Sequence, residues 1–105
     1  MKTMLSITAL VLATGLSGTA QAAATEAMQK AGCTACHADD KKLVGPAYKV
    51  VAAKYKGKAD AAAQLTEKVR KGGSGVYGPV PMPPNPPSKI SDADLKAAVD
   101  HILSL

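Results

Sequence analysis

Two cysteines and a histidine carry the densest chemistry in this chain. Cys33-Thr34-Ala35-Cys36-His37 forms a C-x-x-C-H pattern, and Cys33 and Cys36 are the only cysteines present. This pattern reads as a c-type haem attachment site. Two thiols three positions apart can reach the two vinyl groups on one edge of a porphyrin. The histidine that follows can then turn beneath the ring and offer a nitrogen to iron. Other chemistry uses the same residues. An oxidising compartment would allow a disulfide. A thioredoxin-like pair expects a βαβ setting. A structural zinc site needs four ligands, which would leave Cys33, Cys36, His37 and the distant His101.

A haem iron has a sixth position, and five answers are open: Met82, His101, Met28, a lysine, or an open site. Met28 falls on an apolar helix face and reads as core. His101 lies between Asp100 and Ile102 and reads as a half-exposed surface residue. Met82 lies 45 residues after His37, inside a segment where Pro79, Pro81, Pro83, Pro84, Pro86 and Pro87 surround it. Proline fixes φ and removes a donor, so the segment is neither helix nor central strand. It should be extended and stiff, an apolar arm carrying a thioether suited to iron.

The elements that must hold these residues are helical. Ala24 to Ala31 is expected as a short helix ending near Gly32. Pro46 is expected at the first helical position of a segment Ala47 to Lys56, which stops at Gly57. Asp60 to Lys71 repeats apolar residues at Ala61, Leu65 and Val69, and Gly72-Gly73 ends it. In the last helix Ser91 is the N-cap with Asp94 at N3. Leu95, Ala98, Val99, Ile102 and Leu103 follow the helical apolar stripe, and Lys96 and Asp100 face away. No stretch alternates long enough to be a strand.

At the other end, Met1-Lys2 begins a positive region, Met4 to Leu16 is an apolar run of 13 residues, and Ala20-Gln21-Ala22 is an A-x-A signal. This is the pattern of a cleaved secretory signal peptide, and it is shorter than the ~20 apolar residues of a membrane span. The expected division is 1–22 as signal peptide, with cleavage after Ala22 or Ala23, and 23–105 as one small domain exported to the periplasm. That domain has no Phe and no Trp, only Tyr48, Tyr55 and Tyr77. So small a core needs a staple, and a haem would fill the missing apolar bulk. Lys and Arg outnumber Asp and Glu by 13 to 8, and by 12 to 8 without Lys2. Such a surface suits an acidic protein partner. No nucleic-acid partner is expected, because the chain carries an export signal, lacks Arg-rich patches and does not interleave basic residues with aromatics.

Taken together these stretches resemble the class I c-type cytochromes, and within them the short bacterial cytochrome c-551 type. The resemblance rests on Cys33-Thr34-Ala35-Cys36-His37, Val44-Gly45-Pro46-Ala47-Tyr48, Val51-Ala52-Ala53-Lys54-Tyr55 and Gly75-Val76-Tyr77-Gly78-Pro79-Val80-Pro81-Met82-Pro83-Pro84-Asn85. It implies an all-α, single-domain class I cytochrome c fold, about four helices around one covalently bound haem. It implies thioether bonds at Cys33 and Cys36, with His37 and Met82 as the axial iron ligands. It further implies that the Pro46 carbonyl accepts a hydrogen bond from His37, that Asn85 hydrogen-bonds near the Met82 sulfur, and that Ala31 and Gly32 closely meet Val99 and Ile102. Two positions depart from the family. Tyr77 stands where a Trp is usual, its hydroxyl replacing an N–H toward a haem propionate, and Met28 stands where an aromatic is usual.

The function implied is that of an electron carrier, not an enzyme. It is a monomer without stable membrane insertion, passing single electrons between respiratory redox proteins. The donor would be a quinol-oxidising complex, and the acceptor a terminal oxidase, nitrite reductase or peroxidase. Lys30, Lys41 and Lys42 are candidates for steering such partners. A peroxidase or gas-binding protein would need an open sixth site, and a thiol–disulfide protein would hold no haem.

Overall fold

The computed structural model describes residues 17–105. The charged start and apolar run expected of a signal peptide lie outside the described residues. Four α-helices follow one another: α1 (Ser17–Lys30), α2 (Tyr48–Tyr55), α3 (Ala61–Lys71) and α4 (Asp92–Leu103). A short 3-10 turn, Cys33–Ala35, stands between α1 and α2. Among the described residues the only β-type pairings are two isolated bridges, His37 with Lys42 and Gly73 with Met82. The all-α expectation holds.

Helix α1 begins seven residues earlier than the expected Ala24. Its first turns are rich in alanine, the residue that loses least on entering a helix, so periodicity of large apolar residues understates its length. The expected cleavage point falls inside this helix. Gly32 ends the region at φ +83°. Its conformation, not tight packing, accounts for the glycine, because a Cβ there would meet no protein atom within 4 Å. No close packing on the Cβ side therefore requires a glycine at position 32. Ala31 does join the core shared with Val99 and Ile102.

Pro46 also differs from expectation. Helix α2 starts at Tyr48 with Ala47 as its N-cap in extended geometry, so Pro46 lies just before the N-cap, outside the helix. The reason is that its carbonyl is committed elsewhere. Helix α3 buries Ala61 and Leu65, and α4 buries Leu95, Ala98 and Val99. The Ser91 hydroxyl accepts the Asp94 N–H at 3.2 Å, the expected cap. Lys96 and Asp100 pair across 2.8 Å on the outer face. α4 packs on α1, α2 and α3, and Met28, Tyr48, Leu65, Ile90, Leu95 and Val99 form the centre of the core.

Candidate haem site

The C-x-x-C-H segment is a local device. The 3-10 turn has three residues per turn, so positions i and i+3 eclipse and Cys33 and Cys36 stand on one side. The N–H groups of Cys36 and His37 both donate to the Cys33 carbonyl, at 3.1 and 3.0 Å. Both cysteines are half-buried free thiols. Burial pushes the Cys33 thiol above its ordinary range, partly offset by the charge of Lys89.

The loop 38–47 then folds back against His37. Gly45 N–H donates to the Cys36 carbonyl at 2.7 Å, and Tyr48 N–H to the Ala38 carbonyl at 2.9 Å. The fold-back brings the Pro46 carbonyl oxygen 2.8 Å from His37 Nδ1. A carbonyl only accepts, so Nδ1 is the donor, and in the neutral ring Nε2 then keeps its lone pair. The ring is also held on its faces. Tyr48 stacks on it with centroids 5.2 Å apart and 22° between planes. Gly45 lies against it so closely that a Cβ would come within 2.5 Å of Cε1. Tyr48 is buried, its hydroxyl finds no partner, and burial raises its pKa above the usual tyrosine value, with smaller contributions from Cys33, Asp39 and Cys36.

Cys33, Cys36, His37, Met82 and Tyr77 line one cleft, whose walls are the apolar side chains of Met28, Leu65, Val69, Leu95 and Ile102. Met82 is placed by the end of α3. Gly73 N–H donates to the Met82 carbonyl at 3.0 Å, and Met82 N–H to the Gly73 carbonyl at 2.8 Å. Gly72, at φ +68°, allows this contact, because a Cβ on it would sit 2.3 Å from the Met82 carbonyl oxygen. Tyr77 is 38% exposed. Its ring lies under Lys54, whose Nζ is 5.8 Å from the centroid, and burial followed by the nearby Tyr55 raises its pKa.

Of the other sixth-ligand candidates, Met28 and two lysines, Lys42 and Lys68, also border the cleft. His101 does not; it lines a separate groove beside Gln21 and Lys96, with its Nδ1 buried and unpartnered. Asn85 departs from expectation. It is 4% exposed, and its Nδ2 donates to the carbonyls of Val69 (3.1 Å) and Pro83 (3.0 Å). Both amide hydrogens are thereby committed, leaving none for the Met82 sulfur. Asn85 fastens the loop to α3 instead. Sequence reading also missed Gly45, whose lack of a side chain makes room for the His37 ring, and Arg70, which reaches across 15 to 22 residues to its partners.

Among the described residues no group of three or more His, Cys, Asp or Glu side chains could hold a bare metal ion, which counts against zinc. No strand is present among them for a thioredoxin-like setting. The donor set instead fits a haem. It offers paired thiols on one side of a turn, an imidazole with Nε2 free, a thioether in the same cleft, and a glycine cradle behind the imidazole.

Comparison with known proteins agrees. The family model described as Cytochrome c matches residues 21–105, and the chain belongs to that family. Cytochrome c2 of Rubrivivax gelatinosus is 53% identical over 78 residues, covering 74% of this chain and 92% of that protein. Cytochrome c-552 of Nitrosomonas europaea is 52% identical over 90 residues, covering 86% of this chain and 84% of its own length. The crystal structure of wild-type Nitrosomonas europaea cytochrome c552 superposes with a TM-score of 0.72 at 51% identity, covering 77% of this chain and 98% of that one. A class 1 cytochrome, MtoD of Sideroxydans lithotrophicus ES-1, superposes at 0.68 and 38% identity, covering 79% and 92%. These relatives place the chain among the small class I c-type cytochromes. Its cofactor is one covalently attached haem c, and it is a monohaem electron carrier, not an enzyme, whose partners are redox proteins.

Proposed function

We propose that Cys33 and Cys36 form the thioether bonds to haem, that His37 and Met82 are the axial iron ligands, and that the chain shuttles single electrons in the periplasm between respiratory redox proteins. The haem supplies the one-electron Fe(III)/Fe(II) couple. The observation that carries the reading is the shared cleft of Cys33, Cys36, His37 and Met82.

The residues around the cleft have separable tasks. The Pro46 carbonyl holds the His37 proton on Nδ1, which fixes the tautomer and raises the basicity of Nε2. Gly45 and Tyr48 limit ring rotation. Two protein ligands leave no position for a substrate, and a thioether partner favours a raised potential. The apolar walls keep water from the iron. Tyr77 borders the cleft where its hydroxyl can donate to a propionate.

Export rests on Met1-Lys2, the apolar run Met4 to Leu16 and Ala20-Gln21-Ala22. Among the described residues no helix is long and apolar enough to cross a membrane. Lys41 and Lys42 remain candidates to steer an acidic partner, whereas Lys30 has a nearby counter-charge, Glu26, at 3.1 Å. Donor and acceptor fit the quinol-oxidising complex and the terminal oxidase, nitrite reductase or peroxidase of a respiratory chain.

The test is spectroscopic. Ferric protein isolated from the periplasm should show the weak far-red band of thioether ligation, hold its haem through acid–acetone extraction, and begin at Ala23 or Ala24. Ready binding of carbon monoxide by the ferrous form, with no far-red band in the ferric form, would instead favour a ligand-binding or peroxidatic haem protein. Transfer to an acidic partner should slow as ionic strength rises.

A further inference from the structure

The segment carrying Met82 cannot support itself. Six of its nine residues from Pro79 to Pro87 are proline and have no backbone N–H, so it cannot build a hydrogen-bonded ladder of its own. It must be held from outside, and the end of α3 supplies the hold.

Arg70, the sole arginine of the chain, lies in the last turn of α3 with its side chain only 19% exposed. Nη1 donates to the carbonyls of Asn85 at 3.0 Å and Ile90 at 2.7 Å. Nη2 meets Asp92 Oδ1 at 2.5 Å. These acceptors lie at the end of the Met82 loop, just before the Ser91 cap, and in the first turn of α4. Asn85 completes the connection. Its backbone N–H is shared by the carbonyls of Val69 (3.1 Å) and Arg70 (3.2 Å), and its side chain reaches Val69 and Pro83. Pro83 is covalently next to Met82. The carbonyls at the end of α3, which a helix leaves without partners, are thus used to grip the loop. A guanidinium can serve several acceptors in one plane, whereas an ammonium is a compact point charge.

We propose that Arg70 is a positioning residue for Met82: by donating to the Asn85 and Ile90 carbonyls it fixes the loop so that the thioether stays at the iron. This rests on the reading of Met82 as the sixth ligand. The ion pair with Asp92 is secondary, because the Asp92 side chain is 92% exposed and such pairs contribute little.

The test is titration of the ferric holoprotein with imidazole, which displaces the sixth ligand. Its apparent affinity reads how readily Met82 leaves the iron. Arg70→Gln should raise that affinity about tenfold, in line with the loss of charge-assisted bonds to two carbonyls. Arg70→Lys should fall between it and the parent, and Asp92→Ala should stay within about twofold of the parent. A denaturation midpoint measured beside each titration separates loop positioning from overall stability. The proposal is overturned if Arg70→Gln lowers the midpoint yet binds imidazole as the parent does. Should that variant yield no holoprotein, an Arg70→Lys affinity equal to the parent's overturns it. An Asp92→Ala effect as large as that of Arg70→Lys also overturns it, since the carbonyl bonds would then not be the cause. Met82→Ala tests the underlying ligand reading separately: unchanged imidazole affinity there removes Met82 from the iron, whatever Arg70 does.

Discussion

His37 Nδ1 donates to the Pro46 carbonyl across 2.8 Å, and the backbone between the two residues is folded to make that contact. The Gly45 N–H returns to Cys36 and the Leu43 N–H to Gly45, closing a loop that leaves Pro46 just outside α2. One short sequence, Val44-Gly45-Pro46-Ala47-Tyr48, thereby supplies the acceptor, the gap and the stacked ring that orient His37.

Gly45→Ala should disturb that orientation. Its Cβ would come within 2.5 Å of the His37 ring, and the ring is the neighbour that must yield. The variant is expected to lose about 1–3 kcal/mol of stability from overpacking. Denaturation of the holoprotein, read by haem absorbance, checks this; a midpoint equal to the parent's would show the ring is free to move.

Gly72→Ala should act on the other side of the cleft. The residue has φ +68°, and a Cβ would sit 2.3 Å from the Met82 carbonyl oxygen. Backbone strain alone costs about 1–3 kcal/mol, and the clash pushes away the segment that carries Met82. The expected result is lower thermal stability together with a weaker far-red band. A stability loss with an undiminished band would separate Gly72 from Met82 placement.

Met82→His should keep two protein ligands but lower the reduction potential, since a thioether partner raises it relative to a second imidazole. Axial ligands span ~0.8 V in haem proteins, so the change should be well resolved by redox titration. An unaltered potential would argue that Met82 is not at the iron.

Ser91→Ala removes the only side-chain cap seen at the start of α4 among the described residues. The cost should be about 1 kcal/mol, a fall of roughly 4–8 °C in Tm for a domain of this size, with the haem spectrum unchanged. A spectral change would mean that α4 influences the iron ligands more directly than the packing indicates.

The local features of the chain are legible in its residues alone. The C-x-x-C-H spacing, the Ser91 cap, the apolar stripe of α4 and the stop at Gly72 depend on residues within one or two turns of each other, and the backbone obeys them there. Met82 stands out because six prolines isolate it. Local reading fails where alanine-rich sequence extends α1 to Ser17, and where Pro46 looks like a helix start but serves as an acceptor just before one.

Sequence alone therefore determined the chemistry on offer: two thiols, an imidazole, a thioether on a stiff arm, and helices to carry them. Only the tertiary structure decided how those groups are held. Asn85 has two amide hydrogens, and nothing in its neighbours reveals that α3 and Pro83 take both. Arg70 looks like any basic residue at a helix end, yet its partners lie 15 to 22 positions away. Such contacts arise from the packing of α3 and α4 against one core, and their partners are chosen by distance in space, which short-range spacing along the chain does not encode.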